Sequence, residues 1–196
     1  MREKPGHASV RRNGRFKEVA LTTSRLVLLA GVWFITLGTR AQDLRLELTG
    51  GRWGFSTETR GSSFEQAEVY AGVSLPWDCD FADNWWFHWR ADVTAGWLGS
   101  HGENAFVGSL GPTLVMHHLN WPVSLEGGLS PTYVSRYRFD PTNLGSNLQF
   151  TSHAQLNWDI GEHLQLSYRF QHMSDGGLFH PNPGLNLHMF GIAFRF

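Results

Sequence analysis

The chain has 196 residues, enough for one domain, and its overall formal charge of −1 conceals an uneven split. Residues 1–41 carry eight Lys/Arg against two Asp/Glu, whereas residues 42–196 carry eight Arg, no Lys and fifteen Asp/Glu, a net −7. An acidic, Lys-free body argues against nucleic acid, whose phosphates call for clustered cations, and a single cysteine, Cys79, excludes an internal disulfide.

Residues 26–38 read LVLLAGVWFITLG, an apolar run of 13. A spanning helix needs about 20 such residues, so this run is too short to cross a bilayer. Arg11, Arg12, Arg15, Lys17 and Arg25 precede it, and the small-residue site Thr39-Arg40-Ala41 follows. This is the pattern of a secretory signal, with cleavage expected after Ala41. The rival reading, a buried core helix, does not account for those flanks. Residues 1–41 are therefore expected to be a signal peptide and 42–196 the mature domain. The long basic lead-in also suggests a translation start downstream of Met1.

Beyond the signal no later segment is a candidate spanning helix, and the dominant feature is alternation with period two. In 85–97 the odd positions are Trp85, Phe87, Trp89, Ala91, Val93, Ala95 and Trp97, while the even ones include His88, Arg90, Asp92 and Thr94. In 147–160 the even set (Leu148, Phe150, Ser152, Ala154, Leu156, Trp158, Ile160) is largely apolar and the odd set (Asn147, Gln149, Thr151, His153, Gln155, Asn157, Asp159) polar. Side chains on a strand alternate between faces, so these are strands. Eight are expected, near 44–57, 63–77, 84–98, 103–118, 122–135, 147–160, 163–174 and 185–196. Gly50-Gly51 suggests a bulge in the first, and Pro112 interrupts the fourth, since it cannot donate to a ladder.

The polar face carries Glu68, Arg90, Asp92, Glu126, Arg169 and Arg195, and the apolar face carries large aromatics at both strand ends. A soluble, lipocalin-like barrel would turn its apolar face inward. Aromatic girdles around an apolar band, with charges opposite, instead suit a membrane barrel with a polar interior. In lipid the sheet must close, because an open edge would leave backbone groups unpaired. The expected fold is thus all-β, an eight-stranded antiparallel transmembrane barrel whose lumen is plugged by ion-paired side chains. Short connections around Pro76–Asp83, Leu119–Pro122 and Gly161–Glu162 are expected on the periplasmic side, with the longer ones outside. Phe190, Ile192, Phe194 and Phe196 alternate up to the terminal residue. That pattern resembles the carboxy-terminal strand through which outer-membrane barrels meet their assembly machinery, and Phe196 would be its end.

The last two strands hold the candidate chemistry. On 163–174 the even, lipid-facing set runs Leu164, Leu166, Tyr168, Phe170, His172, Ser174. On 185–196 the same face runs back from Phe196 through Phe190 to His188 and Asn186. Ser174, His172, His188 and Asn186 therefore share one outward face at the outer end. Ser and His two residues apart, with an amide across the strand, fit nucleophile, base and orienter. Spacing alone leaves a second reading open, that these are ordinary interfacial polar residues. His172, Asp175, His180 and His188 also form an oxygen and imidazole set, but match no metal-ligand spacing, and no metal or cofactor is implied.

The segment His172-Met173-Ser174-Asp175-Gly176-Gly177, followed by Pro181-Asn182-Pro183-Gly184-Leu185-Asn186, resembles the lipid A 3-O-deacylase (PagL-type) family. The likeness is sharpest over 168–196 and mainly architectural elsewhere. It implies an eight-stranded barrel in the outer membrane of a Gram-negative bacterium, hydrolysing an acyl ester of lipid A in lipopolysaccharide with a membrane-facing Ser-His-acid triad at the outer leaflet. On that resemblance Ser174 is the nucleophile and His172 the general base, while Asn182, with backbone N–H groups of Gly176 and Gly177, lines the oxyanion hole. Two positions depart from the family pattern. Its His-x-Ser-Asn motif has Asp175 as the last residue here, an anion expected beside the site, and its triad acid falls at Asn186. A non-catalytic barrel that lost the acid, and a barrel acyltransferase, remain the alternatives.

Overall fold

The computed structural model describes residues 44–57 and 62–196; the expected signal peptide and its cleavage site lie outside them. Ten strands follow in order: β1 (Arg45–Ser56), β2 (Glu65–Ala82), β3 (Trp85–Ser100), β4 (Glu103–His118), β5 (Val123–Val134), the short β6 (Arg138–Phe139) and β7 (Thr142–Asn143), β8 (Leu148–Ile160), β9 (Leu164–Ser174) and β10 (Leu185–Arg195). Eight of them close an antiparallel barrel in the cyclic order β1-β10-β9-β8-β5-β4-β3-β2, and β6–β7 is a separate hairpin. Among the described residues no helix is long and apolar enough to cross a membrane, so any crossing is made by strands.

The alternation resolves as expected. Outward positions carry the large apolar side chains, Val69 and Trp97 each 65% exposed, whereas Arg90 is 1% exposed inside. An apolar band of this kind around a polar interior suits a lipid environment. Leu156 and Phe194 point outward, and Gln155 is buried inside. Arg195 lies at the mouth near the termini and pairs with Asp159 at 2.7 Å.

The interior has two zones. Its middle is a charge network: Arg90 binds Asp92 at 2.6 Å and Glu126 at 2.7 Å, and Arg52 binds Glu68 at 2.8 Å. Arg169, expected to join this plug, forms no ion pair among the described residues, because Arg52 and Arg90 already hold the three carboxylates. The end away from the termini, expected to be the outer one, is apolar instead, packed from Phe64, Leu98, Val134, Phe139, Leu144, Met173, Leu185, Leu187 and Met189. The β6–β7 hairpin contributes Phe139, set edge-on against Phe64 with ring centroids 5.2 Å apart.

Two expectations about the strands change, and the interruption at Pro112 holds on one side of its strand. β2 runs on to Ala82 rather than ending near Pro76. The ladder to β3 breaks between Ser74 and Asp78, around the proline that cannot donate, and then resumes at Asp78↔His88. The bulge in β1 lies between Leu46 and Leu48, not at Gly50-Gly51, which pair regularly on both sides. Gly50 is there for clearance: a Cβ would stand 2.8 Å from the Tyr70 ring and 2.4 Å from the Ile192 carbonyl oxygen. Pro112 keeps its place opposite Ala91 of β3, while the ladder to β5 skips Leu110–Pro112 without a change of register.

Candidate active site

β9 and β10 pair with Asn186 opposite His172, His188 opposite Phe170 and Phe190 opposite Tyr168. On the other side of β9, Ser174 stands opposite Phe150 of β8. Parity therefore puts Ser174, His172, Asn186 and His188 on the outer wall, as the sequence pattern anticipates. His172 and Asn186 are exposed there, and Ser174 and His188 are partly covered.

His172 Nδ1 lies 2.7 Å from Asn186 Oδ1. With the amide oxygen facing the ring, Nδ1–H donates and Nε2 presents its lone pair, the tautomer a general base needs. Two residues along the same face, the Ser174 hydroxyl forms no hydrogen bond to the ring among the described residues. Such bonds are often long in unliganded enzymes and tighten on binding. A close neighbour unforeseen from the sequence stands beside the Cε1 edge of the imidazole. Gly184 has φ +66°, and a Cβ there would stand 2.7 Å from His172 Cε1. The Pro183-Gly184 pair ahead of β10 was the available signal, since a glycine at a strand entrance often marks a left-handed turn or a close approach.

The connection after Ser174 carries the remaining candidates. Gly176 and Gly177 both have positive φ, +68° and +79°, which glycine alone adopts without strain. The Gly177 N–H donates to Asp175 Oδ1 at 2.9 Å, so it is already engaged and would have to break that bond to serve an oxyanion. Gly176 lies beside the Phe150 ring, 3.6 Å from where its Cβ would be. Asn182 is partly buried, with its Oδ1 shielded and unpartnered. Asp175 differs from expectation. One residue past outward-facing Ser174, it turns inward and is 0% exposed. Its Oδ2 lies against Gly145, where a Cβ would approach Pro181 O to 2.8 Å. The Asp175 carboxyl group is thus turned inward, whereas Ser174 faces the outer side of the wall.

The other histidines do not form a metal set with His172. The His188 Nδ1 is hydrogen-bonded to Tyr168 OH at 2.7 Å, His180 is exposed in the loop, and Asp175 is inside. Among the described residues the donor atoms of Asp92, Glu126 and His153 do come within 4.8 Å of one another in the lumen. Arg90 already donates to both of those carboxylates, so a cation there would add charge to a neutralised cluster.

Compared with known proteins, residues 65–195 match the lipid A 3-O-deacylase (PagL) family. The chain belongs to that family. Lipid A deacylase PagL of Bordetella bronchiseptica (strain ATCC BAA-588 / NCTC 13252 / RB50) is 29% identical over 144 residues, covering 69% of this chain and 79% of the relative. In fold, the chain superposes on the outer-membrane enzyme PagL with a TM-score of 0.63 at 16% identity, over 74% of this chain and 97% of that one. Neisserial surface protein A follows with a TM-score of 0.51 at 10% identity, over 78% of this chain and 99% of that one. At such identities the two structures speak for the barrel alone. Family membership makes the chain an ester hydrolase of the outer membrane.

Proposed function

We propose that this deacylase removes an ester-linked acyl chain from lipid A by serine chemistry on its outer wall, within the outer leaflet. The observation that carries the reading is the His172–Asn186 bond of 2.7 Å on the lipid-facing side, two residues from Ser174. His172 Nε2 takes the Ser174 proton as Oγ attacks the ester carbonyl. The tetrahedral oxyanion is held by the Asn182 amide and the Gly176 N–H. Collapse expels the sugar hydroxyl, which leaves with the proton from His172, and the acyl chain remains on Ser174. Water, deprotonated by His172, then releases the fatty acid and restores the serine. The acyl chain lies along Phe170, Tyr168 and Phe190 meanwhile. No cofactor enters these steps.

A second reading has an observation of its own. The residue orienting His172 is a neutral amide where the family resemblance calls for an acid, which favours a non-catalytic barrel. Mass spectrometry of lipid A incubated with the purified protein separates the two. Loss of one ester-linked acyl chain with a free fatty acid appearing is expected, and transfer of the chain to a second lipid would mark an acyltransferase. Ser174→Ala and His172→Ala should each abolish release while leaving a folded, heat-modifiable barrel. Intact lipid A with folded wild-type protein would establish the non-catalytic reading.

A further inference from the structure

Among the described residues of the outer connections, the large apolar side chains that stand exposed are Leu178 (63%) and Phe179 (51%). The other apolar residues there are covered: Phe139 and Leu144 are buried in the outer-end core. The turn at His101-Gly102 is short and polar. Leu178 and Phe179 follow Ser174 by four and five residues, on a loop held by Gly177 N–H to Asp175 Oδ1 and Leu178 N–H to Asp175 O. Asp175 is fully buried beneath it. The pair is thus presented from a tethered base beside the nucleophile.

The lipid-facing belt on the neighbouring strands shows what covers them. Phe150 of β8 stands opposite Ser174, and Leu148, two residues further out, is opposite Tyr133 of β5. Leu148 and Tyr133 are outward and about half exposed. The belt on the β5–β8 side therefore continues beyond the level of the nucleophile. On the β9–β10 side the strand positions at and next to that level are the polar Ser174, His172 and Asn186, and the apolar surface resumes only at Leu178 and Phe179.

We infer that Leu178 and Phe179 form a lip that dips into the outer leaflet and seats the acyl chains of the substrate glycolipid as its ester reaches Ser174. This deepens the proposed function and rests on it. Contact with acyl chains favours the lip in lipid by the hydrophobic effect, and the same contact draws a membrane-embedded ester toward the site. A small ester arriving from water gains nothing from it. The lip is a specificity element for lipid-borne substrate, distinct from the groups that break the bond.

Two measurements test this. In a Cys79→Ser background, a nitroxide on Phe179→Cys in phosphatidylethanolamine/phosphatidylglycerol vesicles should be relaxed by oxygen more than by a water-soluble nickel chelate, with His101→Cys as the aqueous control. The Leu178→Ser/Phe179→Ser variant should raise KM for lipid A in vesicles about tenfold, with kcat and the hydrolysis of p-nitrophenyl acetate unchanged. A label at 179 that behaves like the one at 101 overturns the lip. A label in lipid with unchanged KM overturns its part in seating substrate, as does equal loss on both esters. If wild-type protein leaves lipid A intact, the proposed function fails, and the label depth still decides whether the loop enters the leaflet.

Discussion

Replacing Asn186 with Asp exchanges the neutral oxygen that His172 contacts for a carboxylate of the same reach. The 2.7 Å contact already exists, so what changes is the charge of the acceptor and not the geometry. A neutral hydrogen bond contributes about 0.5–1.5 kcal/mol net and one to a charged group about 1.5–3 kcal/mol. The difference, about 1–1.5 kcal/mol, is felt when the ring becomes imidazolium, so it belongs to the transition state and should appear as a gain in kcat of about 5–12-fold. A soluble serine protease changes by about four orders of magnitude on the reverse exchange, much of it from a wrong tautomer. Here the tautomer is already right, which is why the gain is smaller. Asn186→Ala should lower kcat by about 2–12-fold. Asn186→Glu supplies the acid that the family pattern calls for, one bond longer, and should also exceed wild type. The assay is fatty-acid release from purified lipid A in detergent at saturating substrate, with heat-modifiability confirming the fold. If Asn186→Asp falls to the level of the alanine variant in a folded barrel, the amide oxygen is not what holds the ring.

Gly184→Ala places a Cβ against His172 Cε1 and forces a left-handed alanine at a cost of about 1–2 kcal/mol; thermal unfolding should show the loss, and kcat should fall while KM holds, whereas an unchanged kcat would mean the ring is not confined at this edge. Leu156→Arg, on the lipid face, should cost about 2–4 kcal/mol if that site lies at the bilayer midplane, measured by denaturant unfolding from vesicles; a negligible cost would mean the side chain is not in lipid. Intact-mass measurement of the exported protein should give a chain beginning near Gln42, and a retained amino-terminal segment would refute the signal reading.

The barrel was legible because period-two alternation survives in almost every strand: once Arg90 and Asp92 are assigned to one face, Trp89 and Val93 must take the other. The same parity brought Ser174, His172 and Asn186 onto the outer wall before any pairing was known. What stayed hidden depends on contacts between distant segments. Arg52 lies in the strand with the weakest alternation, so its capture of Glu68, and the resulting isolation of Arg169, could not be read locally. The β6–β7 hairpin is too short to show a period, and its Phe139 gains a place only by meeting Phe64 at the far side of the sequence. Pro76 looked like a strand end because proline cannot donate, yet antiparallel pairing tolerates a gap and resumes beyond it. Gly184 owes its identity to a ring on the neighbouring strand.

Parity also sorts the two departures from the family pattern. A strand sends adjacent residues to opposite faces, so the step from Ser174 to Asp175 passes through the barrel wall. Asp175, just past the end of β9, turns inward against Gly145 and accepts the Gly177 N–H, while Ser174 stays on the outer face. Asn186, an even step along the outer face, stays in contact with the chemistry. Of the two substitutions, the one at 186 should therefore set the rate, and the one at 175 should act through the shape of the loop. The occupied interior points the same way. Among the described residues, Arg52 and Arg90 are ion-paired across the middle of the lumen and Phe64, Phe139 and Met173 pack at its outer end. A filled lumen fits the proposed lateral arrival of substrate from the membrane.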